Sequence, residues 1–282
     1  MLFNPTIFES RALVMQRLTD AVSHGYTHSC HGTIGIDRCA KLAKKFDLNY
    51  SVSVDRNERA RRKRANLGNA VLILWLKDEH INWWLLVTPP EVGDHPAHAL
   101  ETLCDAAKSN ERIEIDGFEL VRLPKKAPKV AGTNSHNQTP LQSKQKSSTL
   151  TWRMNQGKYQ GWRDSIIQSV RNSNARSMEL LMYKLWSSPG FSGIRTQVGK
   201  LASLYRGEVK RSGRKDAPAL PKRLGYIRRL SNRGITLSSL IAQTYQTRAM
   251  TKALPEQSRF VAMSIDASNI PSPSTNTSEH NG

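Results

Sequence analysis

The chain lacks any apolar run long enough to cross a membrane. It has 282 residues, of which 38% are hydrophobic, and its longest apolar segments are 70–76 and 83–87. A membrane span needs roughly 20 such residues. The first twenty residues contain acidic positions and no charged-then-apolar leader, so we expect no export signal. These absences predict a cytoplasmic protein without a membrane partner.

Cysteine is also scarce. Three cysteines, Cys30, Cys39 and Cys104, cannot all pair with one another. Three in a chain of this length do not form the framework of a small disulfide-stapled domain. The count is typical of a protein that works in a reducing compartment.

The common nucleotide-binding and hydrolase motifs are missing as well. We find no Walker A loop, no GxGxxG, no GxSxG and no paired-histidine triplet of the kind found in rolling-circle endonucleases. The carboxylates show no nuclease-like spacing. We therefore predict no cofactor, and we favour a non-enzymatic function over an enzymatic one.

Positive charge is abundant, and it is concentrated in one half of the chain. The 42 Lys and Arg residues exceed the 23 Asp and Glu residues, which gives a net charge of +19. Residues 1–123 hold 16 basic and 16 acidic residues, so the whole excess lies in 124–282. Such a concentrated field is typical of a surface that binds a polyanion, above all nucleic acid.

Two low-complexity segments divide the chain. Residues 124–150 are rich in Lys, Pro and small polar residues and predict a flexible basic linker, and residues 261–282 predict a disordered tail. Two folded pieces remain, 1–123 and 151–260. The sequence thus predicts an α+β protein of two domains.

The first piece has the pattern of an antiparallel sheet of about five strands with helices on one face. Asp116-Gly117 between apolar runs is a strong hairpin signal. Trp83 and Trp84 are adjacent on a predicted strand, so they must lie on opposite faces. We predict helices at 9–23, 36–46 and 97–108, and strands at 49–55, 70–76, 81–88, 112–115 and 118–123.

The second piece has the pattern of an all-helical domain, with helices predicted at 161–173, 175–186, 194–211, 222–232 and 236–247. Ile194, Val198, Leu201 and Tyr205 form an apolar stripe on the third of these. A helix, a Pro-Gly turn and an amphipathic basic helix are typical of helix-turn-helix DNA-binding domains. An ordinary helical hairpin with a solvated basic face gives the same pattern.

The predicted nucleic-acid contacts are the basic and amide side chains of this piece, together with a basic run at 56–64. That run is either a mobile arm or the solvated start of a strand. Tyr205, Tyr226 and Trp186 are either stacking residues or core residues. The predicted contact residues are Arg195, Gln197, Lys200, Arg206, Lys210, Arg211, Arg214, Lys215, Lys222, Arg223, Arg228, Arg229, Arg61, Arg62, Lys63 and Arg64.

A histidine-rich segment, 24–31, offers a rival function. His24, His28, Cys30 and His31 are chemically suited to zinc, but their spacing does not wrap one tetrahedral ion and no second half-site follows. We predict no metal site. The segment nevertheless keeps open a nuclease or nickase centred on these histidines.

The sequence as a whole predicts a nucleic-acid-binding accessory protein. DNA is the expected partner, in replication, DNA transfer or transcriptional regulation, and a mobile element is the expected context. An RNA-binding protein is an alternative. Residues 1–123 are expected to recognise a protein partner or a second copy of the chain.

Overall fold

The computed structural model describes residues 3–124, 148–172 and 174–253, which form a mixed α+β protein. The predicted linker lies mostly, and the predicted tail entirely, outside these residues. The helices are α1 (Arg11–Ser23), α2 (Ile36–Tyr50), α3 (Arg56–Arg64), α4 (Ala97–Leu100), α5 (Gln156–Asn172), α6 (Ala175–Trp186), α7 (Ser192–Ser212) and α8 (Leu237–Ala253). The strands are β1 (Thr6–Phe8), β2 (His28–Gly35), β3 (Ala70–Lys77), β4 (His80–Val87), β5 (Cys104–Asp105), β6 (Glu114–Ile115), β7 (Phe118–Pro124), β8 (Ser148–Met154) and β9 (Ile235–Thr236).

The larger sheet has six strands in the order β5-β2-β4-β3-β1-β9. Strands β3 and β4 form the predicted hairpin, with Ala70 opposite Val87 and Lys77 opposite His80. Strand β1 pairs in parallel with β3, which makes the sheet mixed. The prediction of a purely antiparallel sheet was therefore wrong, because a three-residue strand carries no sequence signal for its direction of pairing.

Helices cover both faces of this sheet, whereas the sequence predicted one. Trp84 is 4% exposed and belongs to the cluster that contains α1. Trp83 lies on the opposite face, where its ring meets that of Phe46 in α2 edge-on at 5.2 Å. The opposite orientation of the two tryptophans is confirmed. Two continuous apolar faces require two covers, and α2 and α8 supply the second one.

The smaller sheet has the order β6-β7-β8. Asp116 and Gly117 form the turn between β6 and β7 with φ angles of +48° and +74°, so the predicted hairpin is confirmed. Strand β8 pairs along the whole of β7. The predicted boundary at residue 150 thus falls within a strand that is joined to the first piece by hydrogen bonds.

The C-terminal piece is only partly helical. The predicted helices over 175–186, 194–211 and 236–247 are confirmed by α6, α7 and α8, and α5 accounts for 161–173. The predicted helix at 222–232 is wrong. Residues 214–234 contain no helix or strand, because their backbone groups bond to α1, α7 and the turn before α7.

Two further predictions failed where tertiary contacts override local pattern. The predicted helix at 97–108 stops at Leu100, and Cys104 then pairs with β2. The predicted strand at 49–55 is the end of α2 followed by a loop, with Ser51 in the left-handed region at φ +52°. An alternating pattern of small and polar residues favours a strand only weakly, and here the preceding helix α2 continues through the first two of these residues.

Trp152 connects the two sheets to α1. Its side chain is fully buried, and its indole Nε1 donates to Met15 O at 3.0 Å and to Thr19 Oγ1 at 2.8 Å. The surrounding cluster contains residues from α1, β3, β4, the smaller sheet and α5 to α7. The hydrophobic core therefore extends across both predicted pieces.

None of the helices in the described part of the chain combines the length and apolar character that a membrane span requires.

We expect Trp152→Ala to lower the free energy of unfolding by about 3–5 kcal/mol, because it removes a fully buried indole and leaves a cavity. Trp152→Phe retains most of the packing and loses the two hydrogen bonds, at a cost of about 1–2 kcal/mol. Denaturant titration followed by circular dichroism measures both. A change below about 1 kcal/mol for Trp152→Ala would contradict the central position of this residue.

Candidate nucleic-acid interface

Helix α7 is amphipathic, as its sequence predicts. Ile194, Val198, Leu201 and Tyr205 are buried on one side of the helix. Lys200, Arg206 and Lys210 are exposed, and none of them forms an ion pair with a residue that the structure describes. These three cations therefore remain available to an external anion.

The first turns of α7 are already occupied by the smaller sheet. Gln197 Oε1 accepts from Met154 N at 2.6 Å, and Gln197 Nε2 donates to Met154 O at 3.0 Å. Ser192 Oγ donates to Thr151 Oγ1 at 2.8 Å. In helix-turn-helix proteins the first residues of the recognition helix contact base edges. Here those positions bond to β8, so Gln197 holds a strand in place.

The segment 214–234 runs over α7, then α1, and we call it the strap. Four of its main-chain carbonyls accept hydrogen bonds from side chains of the elements below. The N–H groups of Ile227 and Leu230 and the side chains of Arg214 and Arg229 make further attachments. Gly190 allows a very close approach of the strap, because a Cβ at that position would collide with Gly225 O. The anchoring bonds are Tyr205 Oη to Pro218 O, Arg195 Nε to Leu224 O, Gln16 Nε2 to Arg228 O and Arg17 Nη2 to Leu230 O, with lengths of 2.7–3.0 Å.

The strap and α7 together carry twelve Lys and Arg residues and two acids, a net charge of +10. Both acids form ion pairs with arginines of the protein. Glu208 is buried and pairs with Arg211 and with Arg171 at 3.6 Å, and Asp216 pairs with Arg214 at 2.6 Å. Little negative charge is left to repel a phosphate.

Basic side chains of the two elements meet at one place. Arg206 and Lys210 of α7 and Lys222 of the strap line a cavity of about 370 Å³. Lys215, Lys222, Arg223 and Arg228 of the strap are exposed and form no ion pair within the described residues. The sequence showed only that basic residues are concentrated in this part of the chain. The structure brings these basic side chains together on one surface.

Of the three predicted aromatic residues, Tyr226 is the one presented to solvent. It is 75% exposed, and the guanidinium carbon of Arg195 lies 3.3 Å from the centre of its ring. Tyr205 is buried and Trp186 is half-buried against the core. The strap thus displays a stacking surface backed by a cation.

The basic run 56–64 is helix α3, and neither an arm nor the start of a strand. Asp55 caps its first turn by accepting from Glu58 N at 2.7 Å. Arg61 pairs with Glu58 at 2.8 Å, and Arg62 donates to Gly68 O. Lys63 and Arg64 are exposed and have no ion-pair partner in the described structure.

Asp20 at the end of α1 lies between the two basic regions. It pairs with Arg229 of the strap at 2.7 Å and with Arg17 at 2.9 Å. It also lines a cavity together with Arg56 and Lys63 of α3. Burial and the charge of Arg229 lower the pKa of Arg17. The two basic regions are therefore neighbours around one carboxylate.

Sequence reasoning missed the residues that assemble this surface. Gln16, Arg17 and Asp20 are on α1, far from the basic half of the chain. One weak signal was present in the sequence: Gln16 is a polar residue among the buried apolar residues of α1, which indicates that it has a buried hydrogen-bond partner. The partner across 212 residues is not visible in the sequence.

The second half of the histidine-rich segment is a strand. His28, Cys30 and His31 belong to β2, and His28 meets His98 edge-on at 5.5 Å. In the described part of the chain no three His, Cys, Asp or Glu residues are arranged to hold a metal ion. Burial raises the pKa of Cys30 to about 11, with Glu101 and Cys104 adding to the effect, so its thiol is protonated at neutral pH.

His95 is a buried structural residue beside Tyr50, the last residue of α2. It is almost fully buried, Ala97 N donates to its Nδ1 at 3.2 Å, and its Nε2 lies 3.3 Å from Tyr50 O. Because Nδ1 accepts, Nε2 carries the proton of a neutral ring. Burial lowers the pKa of His95, which keeps the ring neutral.

Acidification should therefore destabilise the protein partly through His95. The unfolded chain takes up a proton near pH 6.5, whereas folded His95 resists it, so stability is lost as pH falls below that value. The loss is at most about 1.4 kcal/mol per pH unit for one proton.

We expect His95→Asn to weaken this dependence between pH 7 and pH 5, as measured by urea titration at each pH. An unchanged slope in the variant would contradict the neutral, buried state of His95. The carboxylates with lowered pKa, such as Glu101 and Asp116, act at more acidic pH and serve as the common background.

Comparison with protein-family models, with curated proteins and with solved structures finds no match. Function must therefore be inferred from the residues and geometry of this chain.

Proposed function

We propose that this protein binds DNA through the exposed cations of α7 and the strap. The observation that carries the proposal is a net charge of +10 on these two elements, with both acids paired internally. Phosphate contacts of this kind release condensed counterions and supply most of the affinity of a basic surface for nucleic acid. The expected role remains that of an accessory protein in replication, DNA transfer or transcriptional regulation.

The backbone that carries these cations is fixed before the ligand arrives. Helix α7 is 21 residues long and buries one side against the core, and the strap is bonded to it at Tyr205 and Arg195. A preordered surface loses less conformational entropy on binding than a flexible basic tail does. This supports α7 and the strap as the main interface, with the lysine-rich segment before β8 as an additional attraction.

The mode of docking that we propose differs from a standard helix-turn-helix. Because Gln197 and Ser192 are bonded to β8, the part of α7 from Lys200 onward faces the ligand instead of its first turn. Lys200, Arg206 and Lys210 would contact phosphates. Tyr226 with Arg195 behind it offers a platform for an unpaired base.

The recognised chemistry is the phosphodiester backbone, which RNA shares, so the binding experiment must separate the two. Fluorescence anisotropy of the full chain with single-stranded DNA, duplex DNA and RNA of one sequence, at several salt concentrations, does so. We expect DNA to bind with a steep salt dependence, and RNA of the same sequence to displace it no better than unlabelled DNA does. Preferential binding of RNA would support the RNA-binding alternative, and no binding to any of the three would overturn the proposal. The partner-recognition role of residues 1–123 stays a prediction.

The triple variant Lys200→Ala, Arg206→Ala and Lys210→Ala should weaken DNA binding about tenfold or more and lower the slope of log K against log salt by about 2–3. Arg195 is left intact because it anchors the strap. The exposed side chains of the variant contribute little to packing, so its unfolding midpoint should remain close to that of the wild type.

The matched control is Arg38→Ala, Lys41→Ala and Lys44→Ala. These exposed residues of α2 lie on the other side of the large sheet, and they remove the same charge. Equal losses in the two triple variants would show that net charge, and not this surface, determines the affinity.

A further inference from the structure

A cavity of about 680 Å³ lies between the end of α1 and helix α3. This volume falls in the range of sites for small molecules and cofactors. Its walls are formed by the α1 end with Tyr26 on one side and by α3 on the other, and Asn69 and Val71 of the β3 region lie between them.

The wall formed by α3 is a regular stripe. Arg56, Arg59, Ala60 and Lys63 line the cavity, which is the i, i+3, i+4, i+7 spacing of one helix face. Ala60 provides room between three cations. Helix α3 contains no buried residue, and its six basic side chains repel one another, so packing does not explain its composition. An anion at this face would offset the repulsion.

Two residues that line the cavity each have a buried polar atom with no hydrogen-bond partner among the residues that the structure describes. Asn69 is 6% exposed, its Nδ2 donates to Arg59 O at 3.2 Å, and its Oδ1 has no hydrogen bond. Arg59 Nε is also buried and unpartnered. Buried polar atoms without a partner are costly. Neither atom has accessible surface in this structure, so a ligand with one N–H group and one anionic oxygen would satisfy both only after the two side chains turn toward the cavity.

The remaining lining suits a flat ring. Tyr26 is half-buried, with its pKa raised by burial, and Ala21, Val71 and Val92 are apolar neighbours in the same cavity. Asp20 is the one carboxylate among the lining residues, and Arg17 and Arg229 neutralise it at 2.9 and 2.7 Å. An aromatic, anionic ligand therefore meets little repulsion.

We infer that this cavity binds a nucleotide unit, with the phosphate at Arg56, Arg59 and Lys63, the base against Tyr26, and an exocyclic amino group of the base donating to Asn69 Oδ1. The inference deepens the proposed DNA binding, since the unit is either a free mononucleotide or an unpaired nucleotide of the strand held by the strap. Asp20 connects the cavity to the strap. Because the one free atom of Asn69 is an acceptor, bases that carry an amino group are preferred to thymine.

The experiment uses the full-length protein and isothermal titration with dAMP, dCMP and dTMP. We expect dAMP and dCMP to bind at least about fivefold more tightly than dTMP, because thymine has no exocyclic amine. Arg56→Ala with Lys63→Ala should weaken dAMP binding about tenfold or more, since charge-assisted contacts to phosphate are lost. The control is Arg61→Ala with Arg64→Ala, which removes the same charge from residues of α3 that do not line the cavity.

A second variant tests the base, because Asn69→Ala also frees Arg59 O and can disturb folding. Tyr26→Leu retains an apolar wall and removes the ring, so it should weaken dAMP and leave the binding of inorganic phosphate unchanged. If dAMP binding is equal in the two α3 double variants, or if Tyr26→Leu binds dAMP as the wild type does, the inference is overturned.

The two sources of the unit are separated by a single-stranded oligonucleotide with one abasic position, compared with its intact form. If the wild type binds the abasic strand more weakly than the intact strand, and Tyr26→Leu binds the two strands equally, the cavity holds a nucleotide of the strand. If mononucleotides bind and oligonucleotides of any type do not, the inference stands and the proposed DNA binding fails. If oligonucleotides bind and neither mononucleotides nor the abasic position has an effect, the inference alone fails.

Discussion

The hydrogen bonds and burial of the Trp152 indole are the contacts on which the rest of the structure depends. Strand β8 exists because it pairs with β7, but its position relative to the large sheet is set where Trp152 reaches α1. Helix α7 is bonded to β8 through Gln197, and the strap is bonded to α7 through Arg195. Each layer thus takes its position from the previous one, and the basic surface is the last in the series.

This construction separates the residues that fold the protein from those that face solvent. The side-chain amides of Gln16 and Gln197 and the Nδ2 atom of Asn69 bond to main-chain groups. The acids on α7 and the strap bond to arginines beside them. The lysines of α7 and the strap have no ion-pair partner among the described residues, so their charges face solvent from a hydrogen-bonded backbone.

Features set by neighbouring residues were predictable from the sequence. The turn at Asp116 and Gly117 and the apolar stripe of α7 from Ile194 to Tyr205 have local causes, and both are present. Features set by distant residues were not. The parallel pairing of β1 with β3, the strap on α1 and the use of Gln197 to hold Met154 depend on contacts between residues up to 214 apart in the chain. The sequence therefore predicted which part of the chain is rich in basic residues, but not how these residues are arranged in space.

Four of the bonds that attach the strap end on its carbonyl oxygens, and a carbonyl oxygen is the same in every residue. Its anchors at Pro218, Leu224, Arg228 and Leu230 therefore survive most substitutions at those positions, with Leu224 restricted by its burial. The donor side chains are less replaceable, because each bond needs a donor of the right length at that position. These donors are Tyr205, Arg195, Gln16 and Arg17. The outward side chains of the strap are little constrained by these four bonds, so substitutions there can change the charge of this surface while the fold is kept.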